Sequence, residues 1–400
     1  MNPNIQKLFN IAGKPSRLII GLMSGTSLDG LDMALCQITG AGSASKVELL
    51  HFETVDYSNQ FKQGIKEVFA KQNIELEKLC LLNPRIALQH ATMIKVFLKH
   101  ANINAIDIDL IASHGQTIYH APQRLHPEDN AGNASLQIGD GDHLAVATGI
   151  ITVSDFRQKH IAAGGEGAPL AIYGDRILFS AVGEDRILLN IGGIANFSFL
   201  PGKREDGKLI CTDTGPGNTM MDALMQKHFP GKYFDEDAAV AKNGIVNEAL
   251  LSILKEDDFF KQSFPKTTGP ELFNLNYLTA AQQKCDTLSL SIEDTMATLN
   301  KFSADTITDA INSCVKNRSG AKVFVSGGGL HNPLLMRRLA EQLNDCSFHT
   351  TAELGIDPDA KEAVLFAVLA NECVCGDPSL MGDRVEGIPA VAMGKISFPN

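Results

Sequence analysis

Residues 186–200, RILLNIGGIANFSFL, read as an apolar strand, a turn at Gly192-Gly193 and a second strand. The same pattern stands earlier in the chain. Residues 17–23 (RLIIGLM) run into the turn SGTSLDG, and residues 31–38 (LDMALCQI) alternate, which predicts a β-hairpin turning between Gly25 and Gly30. A second pair matches as well: residues 108–117 (IDLIASHGQT) and 323–330 (VFVSGGGL) are each a short apolar strand running into a polar or glycine turn. The spacing predicts helices over 83–99, with Asn83 as N-cap and Pro84 at its first position, and over 247–254 and 291–311, the last capped by Ser291 and Asp294. Residues 157–168 read as a glycine-rich loop. The chain thus runs hairpin, helix, strand and loop twice, without countable identity between the halves. That order implies two similar α/β lobes, 1–184 and 185–400, with a cleft between them.

Size and composition agree. Four hundred residues exceed what one core usually organises, so two lobes of roughly 200 residues are expected. With 44% hydrophobic and 20% charged residues, both can bury a core, which excludes global disorder and disulfide scaffolds. The net charge of −11 and the lack of a basic block exclude nucleic acid and anionic membrane as general partners. No stretch reaches the roughly 18 apolar residues of a membrane span, and the N-terminus carries no signal pattern. The eight cysteines are scattered and read as reduced core thiols of a cytoplasmic protein.

Six segments carry possible chemistry. In Ser24–Asp32, small residues let backbone approach a phosphate chain, hydroxyls and N–H groups donate to it, and a carboxylate holds Mg²⁺ through water. An ordinary hairpin turn is the alternative, weakened by the matching Gly192-Gly193. In CTDTGPGN (211–218), Asp213 is expected where strand gives way to loop, as a catalytic carboxylate or as an Asx-turn residue, and Asn218 as the cap of the next helix. SGGGLHNP (326–333) suits a nucleotide's flat surface, or is a plain strand-to-helix loop. His114-Gly115-Gln116-Thr117 suits sugar hydroxyls, or is a solvated turn. His114 and His120 lack a third ligand, so no metal site is read there. Arg157 either meets a ligand carboxylate or pairs with Asp155. Asp357 and Pro358 open an apolar helix that places Glu362 in its first turn, where the dipole favours a carboxylate; it is a site residue or a solvated one.

MSGTSLDGLD, SHGQTIYH, LQIGDG, DFR, AAGGEGAPL, NIGGIANFS, DTGPGNTMMD, KTTGPELFN, VSGGGLHNP and DPDAKEA follow one another in that order. As an ordered set, from Arg17 to Gly394, they resemble the anhydro-N-acetylmuramic acid kinase family of the sugar kinase–heat-shock protein–actin superfamily. The resemblance implies a duplicated ribonuclease H-like fold of the actin type. It also implies an enzyme of peptidoglycan recycling that converts 1,6-anhydro-N-acetylmuramic acid, ATP and water to N-acetylmuramic acid 6-phosphate and ADP, using Mg²⁺. Asp213 matches the general base and Glu362 a second active-site carboxylate. Gly25, Thr26, Ser27, Leu28, Asp29, Gly30, Leu31 and Asp32 match the ATP-binding stretch, joined by Gly192, Gly193, Gly327, Gly328 and Gly329. His114, Gln116 and Thr117, with Asn196, fall on the sugar side. No side chain is singled out as a metal ligand, and homodimerisation is left open.

This chain departs from the family pattern in three places. His160 stands for an Asp and Glu166 for a Gln in the DFR-to-GAPL segment. Ala171–Asp175 replaces an expected Pro and His, and Pro270 stands for an Arg in KTTGPE. These leave the nucleotide motifs and Asp213 intact and bear on the identity of the sugar. A levoglucosan-like or free-sugar kinase, and a catalytically silent sugar or nucleotide sensor, are the competing expectations.

Overall fold

A computed structural model describes every residue except 26, 27, 29, 124, 125, 127, 129, 169, 204–208, 317, 318 and 381–388. In chain order its strands are β1 (Ser16–Ser24), β2 (Gly30–Thr39), β3 (Lys46–Asp56), β4 (Leu110–Ala121), β5 (Ala134–Ile138), β6 (Thr152–Ser154), β7 (Arg186–Ile191), β8 (Ile194–Leu200), β9 (Ile210–Pro216), β10 (Lys322–Ser326), β11 (Ser347–Thr350) and β12 (Lys395–Ser397). One sheet has the order β12-β6-β4-β1-β2-β3, with β5 on β4, and the other has β11-β10-β7-β8-β9. In the first, β1-β2-β3 is an antiparallel meander and β4 and β6 join in parallel. In the second, β7-β8-β9 repeats the meander and β10 and β11 the parallel strands. The two sheets thus share one strand order, which is the duplicated ribonuclease H-like, actin-type fold. Parallel neighbours need helices on both faces, so the central strands read as unbroken apolar runs.

The chain divides into Met1–Phe179 with Gly355–Asn400, and Ser180–Leu354. The expected boundary between 184 and 185 lies near the first crossing, but the C-terminal segment belongs to the first unit, not the second. The cause is helix Lys361–Cys375, whose residues from Ala363 to Glu372 are all buried. A helix that is apolar all round needs cover on every side, and this one packs on β1, β2 and β4. Arg17 Nε donates to Asn371 Oδ1 at 2.7 Å, and Gly42 N donates to both oxygens of Glu372.

Three local expectations change. Helix Leu76–His100 starts seven residues before Asn83 and carries Pro84 inside it. The buried Leu82 ties down its early turns, and Asn83 Oδ1 accepts from Gly139 N at 2.8 Å instead of capping. The glycine-rich stretch contains helix Phe156–Ala162. Asp213 lies within β9, which pairs with β8 as far as Pro216. Helix Ile292–Cys314 begins as expected, with Ser291 Oγ accepting from Asp294 N at 3.0 Å. Its Met296, Leu299 and Phe302 join one core cluster of the second unit and Ala304, Ile307 and Ile311 the other.

The tightest backbone approach in the first unit is at Gly21, where a Cβ would lie 1.9 Å from the Ala363 carbonyl oxygen. Gly21→Ala must push the helix off β1. We expect a loss of about 3 kcal/mol or more in urea unfolding; a change below about 1 kcal/mol would show that the helix seats without that contact.

Candidate functional site

In the first unit the β1–β2 turn is held from below. Gly25 O accepts from Leu28 N at 3.3 Å and from Gln116 Nε2 at 3.4 Å. Leu28 has φ 60° and is buried, so its side chain is a core plug beneath the turn, and Leu31 is fully buried. Gly30 opens β2 against Val55, and Asp32 accepts from Thr54 Oγ1 at 2.6 Å. Thr26, Ser27 and Asp29, assigned to ATP from the sequence, lie outside the described residues.

Of the residues expected to face sugar, His114 and Gln116 are buried, and His114 also lines a polar cavity of this unit. Gln116 has no exposed surface and accepts from Ser24 Oγ at 2.6 Å. His114 is 2% exposed. Its Nε2 accepts from Arg157 Nε at 3.0 Å, which leaves the proton on Nδ1, donated to Gly115 O at 2.9 Å. Thr117 is half-buried and accepts from Gln137 Nε2 at 3.2 Å. Arg157 therefore neither pairs with Asp155 nor stands free. It donates to His114 and to Gly167 O at 2.8 Å, and its charge acts on Glu362. Asp155 is instead taken by Lys395.

Glu362 stands in the first turn of helix Lys361–Cys375, accessible to solvent yet poorly solvated. Its carboxyl is pushed above the usual glutamate range, mainly by that loss of hydration and further by Asp32 and Asp175, while Lys361 and Arg157 oppose the rise. Next to it Lys361 Nζ meets Asp175 at 3.0 Å, both residues buried. No sequence signal marks this ion pair, because Asp175 sits within helix Ala171–Phe179, far along the chain from Lys361. Glu362 is thus a solvent-reached carboxylate among charged groups with its pKa raised, a property shared by carboxylates at reacting centres.

A polar cavity of 280 Å³ also lies in this unit, lined among others by Ser113, Gly115, Gln137, Asp140, Asp155 and Lys395. Ser113 Oγ and Gln137 Oε1 are buried there without a hydrogen-bond partner. Buried polar atoms are rarely left so, and a ligand or water must meet them.

In the second unit three glycine segments converge. Gly193 O accepts from Gly217 N at 2.8 Å and from Thr219 N at 3.1 Å, and Gly192 O accepts from Asn218 N at 2.9 Å. Asn218 stands at the N-cap of its helix as expected, but its side chain makes no capping bond; its Nδ2 donates back to Ile191 O. Gly327, at φ 82°, has no room for a side chain, since a Cβ would meet Asn190 Oδ1 at 2.6 Å. Gly328 lies beside Asn218 and Gly329 against Ile191. Asp213 faces Asn196 across the β8–β9 pair, beside an irregularity in register. Its Oδ2 accepts from Thr268 N at 2.8 Å and its own N–H donates to Lys266 O at 2.9 Å. The KTTGPE motif therefore serves as the strut that aims Asp213, with Lys266 buried and its ammonium over the rings of Phe259 and Phe264 at 4.4 Å.

Residues 17–398 match the family described as Anhydro-N-acetylmuramic acid kinase. The chain belongs to that family. An anhydro-N-acetylmuramic acid kinase of Pseudoalteromonas atlantica is 55% identical over the full length of both chains. One of Caldanaerobacter subterraneus subsp. tengcongensis is 39% identical over 98% of this chain and all of that one. Among solved structures, a ROK family glucokinase from Streptomyces griseus in complex with glucose and AMPPNP matches at 11% identity and TM-score 0.35, covering 88% of this chain and 98% of that one. No helix among the described residues is long and apolar enough to cross a membrane.

One departure from the family pattern is explained by the geometry. His160 is 2% exposed and its Nδ1 accepts from Gly167 N at 2.8 Å, so an imidazole does the work of a carboxylate acceptor. Burial, then Arg157, pushes the pKa of His114 to about 3 and of His160 to about 4. An unfolded histidine titrates near 6.5, so between these values the unfolded chain binds protons that the folded one refuses. Stability therefore falls as pH drops below about 6.5, by about 1.4 kcal/mol per pH unit for each such histidine. In urea titrations between pH 6 and 4.5, His160→Gln is expected to flatten this decline by about that slope. Equal slopes would mean that His160 takes up its proton while folded.

Proposed function

We propose that this chain is an ATP-dependent kinase that opens the 1,6-anhydro bridge of 1,6-anhydro-N-acetylmuramic acid with water and phosphorylates O6. The products are N-acetylmuramic acid 6-phosphate and ADP, which places the enzyme in cell-wall sugar recycling. The observation that carries the reading is a full-length family match in which Asp213 keeps a fixed orientation, accepting from Thr268 N and facing Asn196.

The substrate is a bicyclic acetal without a free 6-hydroxyl. Asp213 takes a proton from water as its oxygen bonds to the anomeric carbon. The bond from that carbon to the bridging oxygen breaks, and the electron pair stays on O6. O6 then attacks the γ-phosphorus, and the bond to the β-phosphate oxygen breaks to release ADP. Phosphoryl transfer asks for alignment and N–H donors more than for covalent help. The turns at Gly25–Asp32, Gly192-Gly193 and Gly327–Gly329 are suited to that. Glu362, with its raised carboxyl, is the second carboxylate. Mg²⁺ bound with the nucleotide would neutralise phosphate charge, and Asp32 and Glu362 are the carboxylates of this unit that would hold it through water. The described residues contain no cluster of three acidic, His or Cys side chains that would cage it.

The unpaired Ser113 Oγ and Gln137 Oε1 support the first-unit cavity as the place for polar substituents of the sugar. His160 bears on the loop it caps, not on a sugar-facing surface, so it supplies no reason to prefer another substrate.

Incubation with 1,6-anhydro-N-acetylmuramic acid, ATP and Mg²⁺, followed by product mass, tests the reading. Incorporation of one water and one phosphoryl group is expected. Turnover only with levoglucosan or a free sugar would redirect the substrate, and tight sugar binding without turnover would make the protein a sensor. Asp213→Asn is expected to lower kcat about a thousandfold or more while ATP affinity stays within about twofold by calorimetry; full activity in that variant would remove Asp213 from the chemistry.

A further inference from the structure

Four buried side chains form one directed hydrogen-bond chain ending at the β1–β2 turn. Ser24 Oγ donates to Gln116 Oε1 at 2.6 Å and accepts from the Tyr57 hydroxyl at 2.9 Å. Tyr57 has a single hydroxyl proton, so His90 Nε2, 2.7 Å from the same oxygen, must be the donor in that contact. At the far end Gln116 Nε2 donates to the carbonyls of Gly25 and Thr117, each at 3.4 Å. His90, Tyr57, Ser24 and Gln116 are between 0% and 4% exposed.

Each donor direction is fixed by the one before it. His90 is neutral, its pKa pushed by burial to about 4, so it has one N–H to give; its Nδ1 has no hydrogen-bond partner. Reversing the chain would turn the Gln116 amide oxygen toward the carbonyls of Gly25 and Thr117, which can only accept, so the network holds one direction. Tyr57 follows β3 and His90 lies on helix Leu76–His100. The chain therefore ties a helix and a strand end to the Gly25 carbonyl, while buried Leu28 pins the other side of the turn.

We propose that Tyr57 and His90 are positioning residues for the nucleotide, fixing through Ser24 and Gln116 the place of Gly25, where the β1–β2 turn leaves β1, before a phosphate arrives. The proposal rests on the reading that this turn binds ATP. A loop whose end is already held in place binds an anion at a smaller ordering cost. Neither residue touches the reacting atoms, so the effect falls on ATP affinity rather than on the chemical step.

Tyr57→Phe tests it, because the ring keeps its packing on Phe61, 4.8 Å between centroids, and loses only the hydroxyl link. We expect KM for ATP to rise about tenfold while KM for the sugar, and kcat at saturating ATP, stay within about twofold. In the full chain without nucleotide, hydrogen exchange at Gly25, Leu28 and Gly30 should quicken about tenfold, with β7 and β10 unchanged. His90→Gln, which retains a donor, should behave like the unaltered enzyme, and His90→Leu like Tyr57→Phe; this pair carries the test if Tyr57→Phe does not fold. An unchanged ATP KM in a folded Tyr57→Phe or His90→Leu enzyme that still turns over overturns the proposal, whatever the exchange rates. Absence of any ATP-dependent turnover in the unaltered enzyme would instead overturn the kinase reading beneath it.

Discussion

The first unit depends on how closely helix Lys361–Cys375 lies on β1, where the Ala363 carbonyl occupies the space a side chain at position 21 would take. Everything that gives this unit chemistry follows from that seating. It brings a helix from the chain's end onto a sheet built from its beginning, and it is fastened by Arg17 to Asn371 and by Glu372 to the Gly42 amide. It buries Lys361 against Asp175 and leaves the next residue, Glu362, as the carboxylate that solvent still reaches. A buried ion pair of this kind adds little net stability, but breaking it by removing one partner is costly. Its effect here is to fix the first helical turn, and so the place of Glu362.

The second unit solves its problem with backbone rather than charge. Asp213 is aimed by an amide from Thr268 and braced by the strand on either side of it. Three glycine segments meet at the ends of β7 and β10 because only residues without side chains can approach so closely. Two of them are joined by their own hydrogen bonds, from Gly217, Asn218 and Thr219 to the carbonyls of Gly192 and Gly193. Such closely packed backbone is the kind of concavity that can bind an anion through N–H groups without a lysine.

The fold was legible from patterns that repeat: the apolar strand, glycine turn and strand at 17–38 recur at 186–200 and set both meanders. The domain boundary was legible only halfway, since no local signal tells a C-terminal helix which sheet it will cover. Asn83-Pro84 mimicked a helix start so well that the preceding turns were lost, although tertiary burial of Leu82 outweighs the local cost of proline. Ordered motifs gave the candidate residues, but not which way they point. His114 and Gln116 read as ligand-facing because they are polar and follow a strand; both make their hydrogen bonds inside the protein, and His114 still lines the first-unit cavity. Tyr57 and His90 belong to no motif and appear only once the chain is folded.

The imidazole at position 160 has an electrostatic consequence for its neighbourhood. A carboxylate there would cap the Gly167 amide equally well, but it would also compete for the guanidinium of Arg157. The neutral ring makes no such claim. Arg157 accordingly gives one arm to a neutral imidazole and one to a carbonyl, while its positive field reaches Glu362 as well as the two histidines.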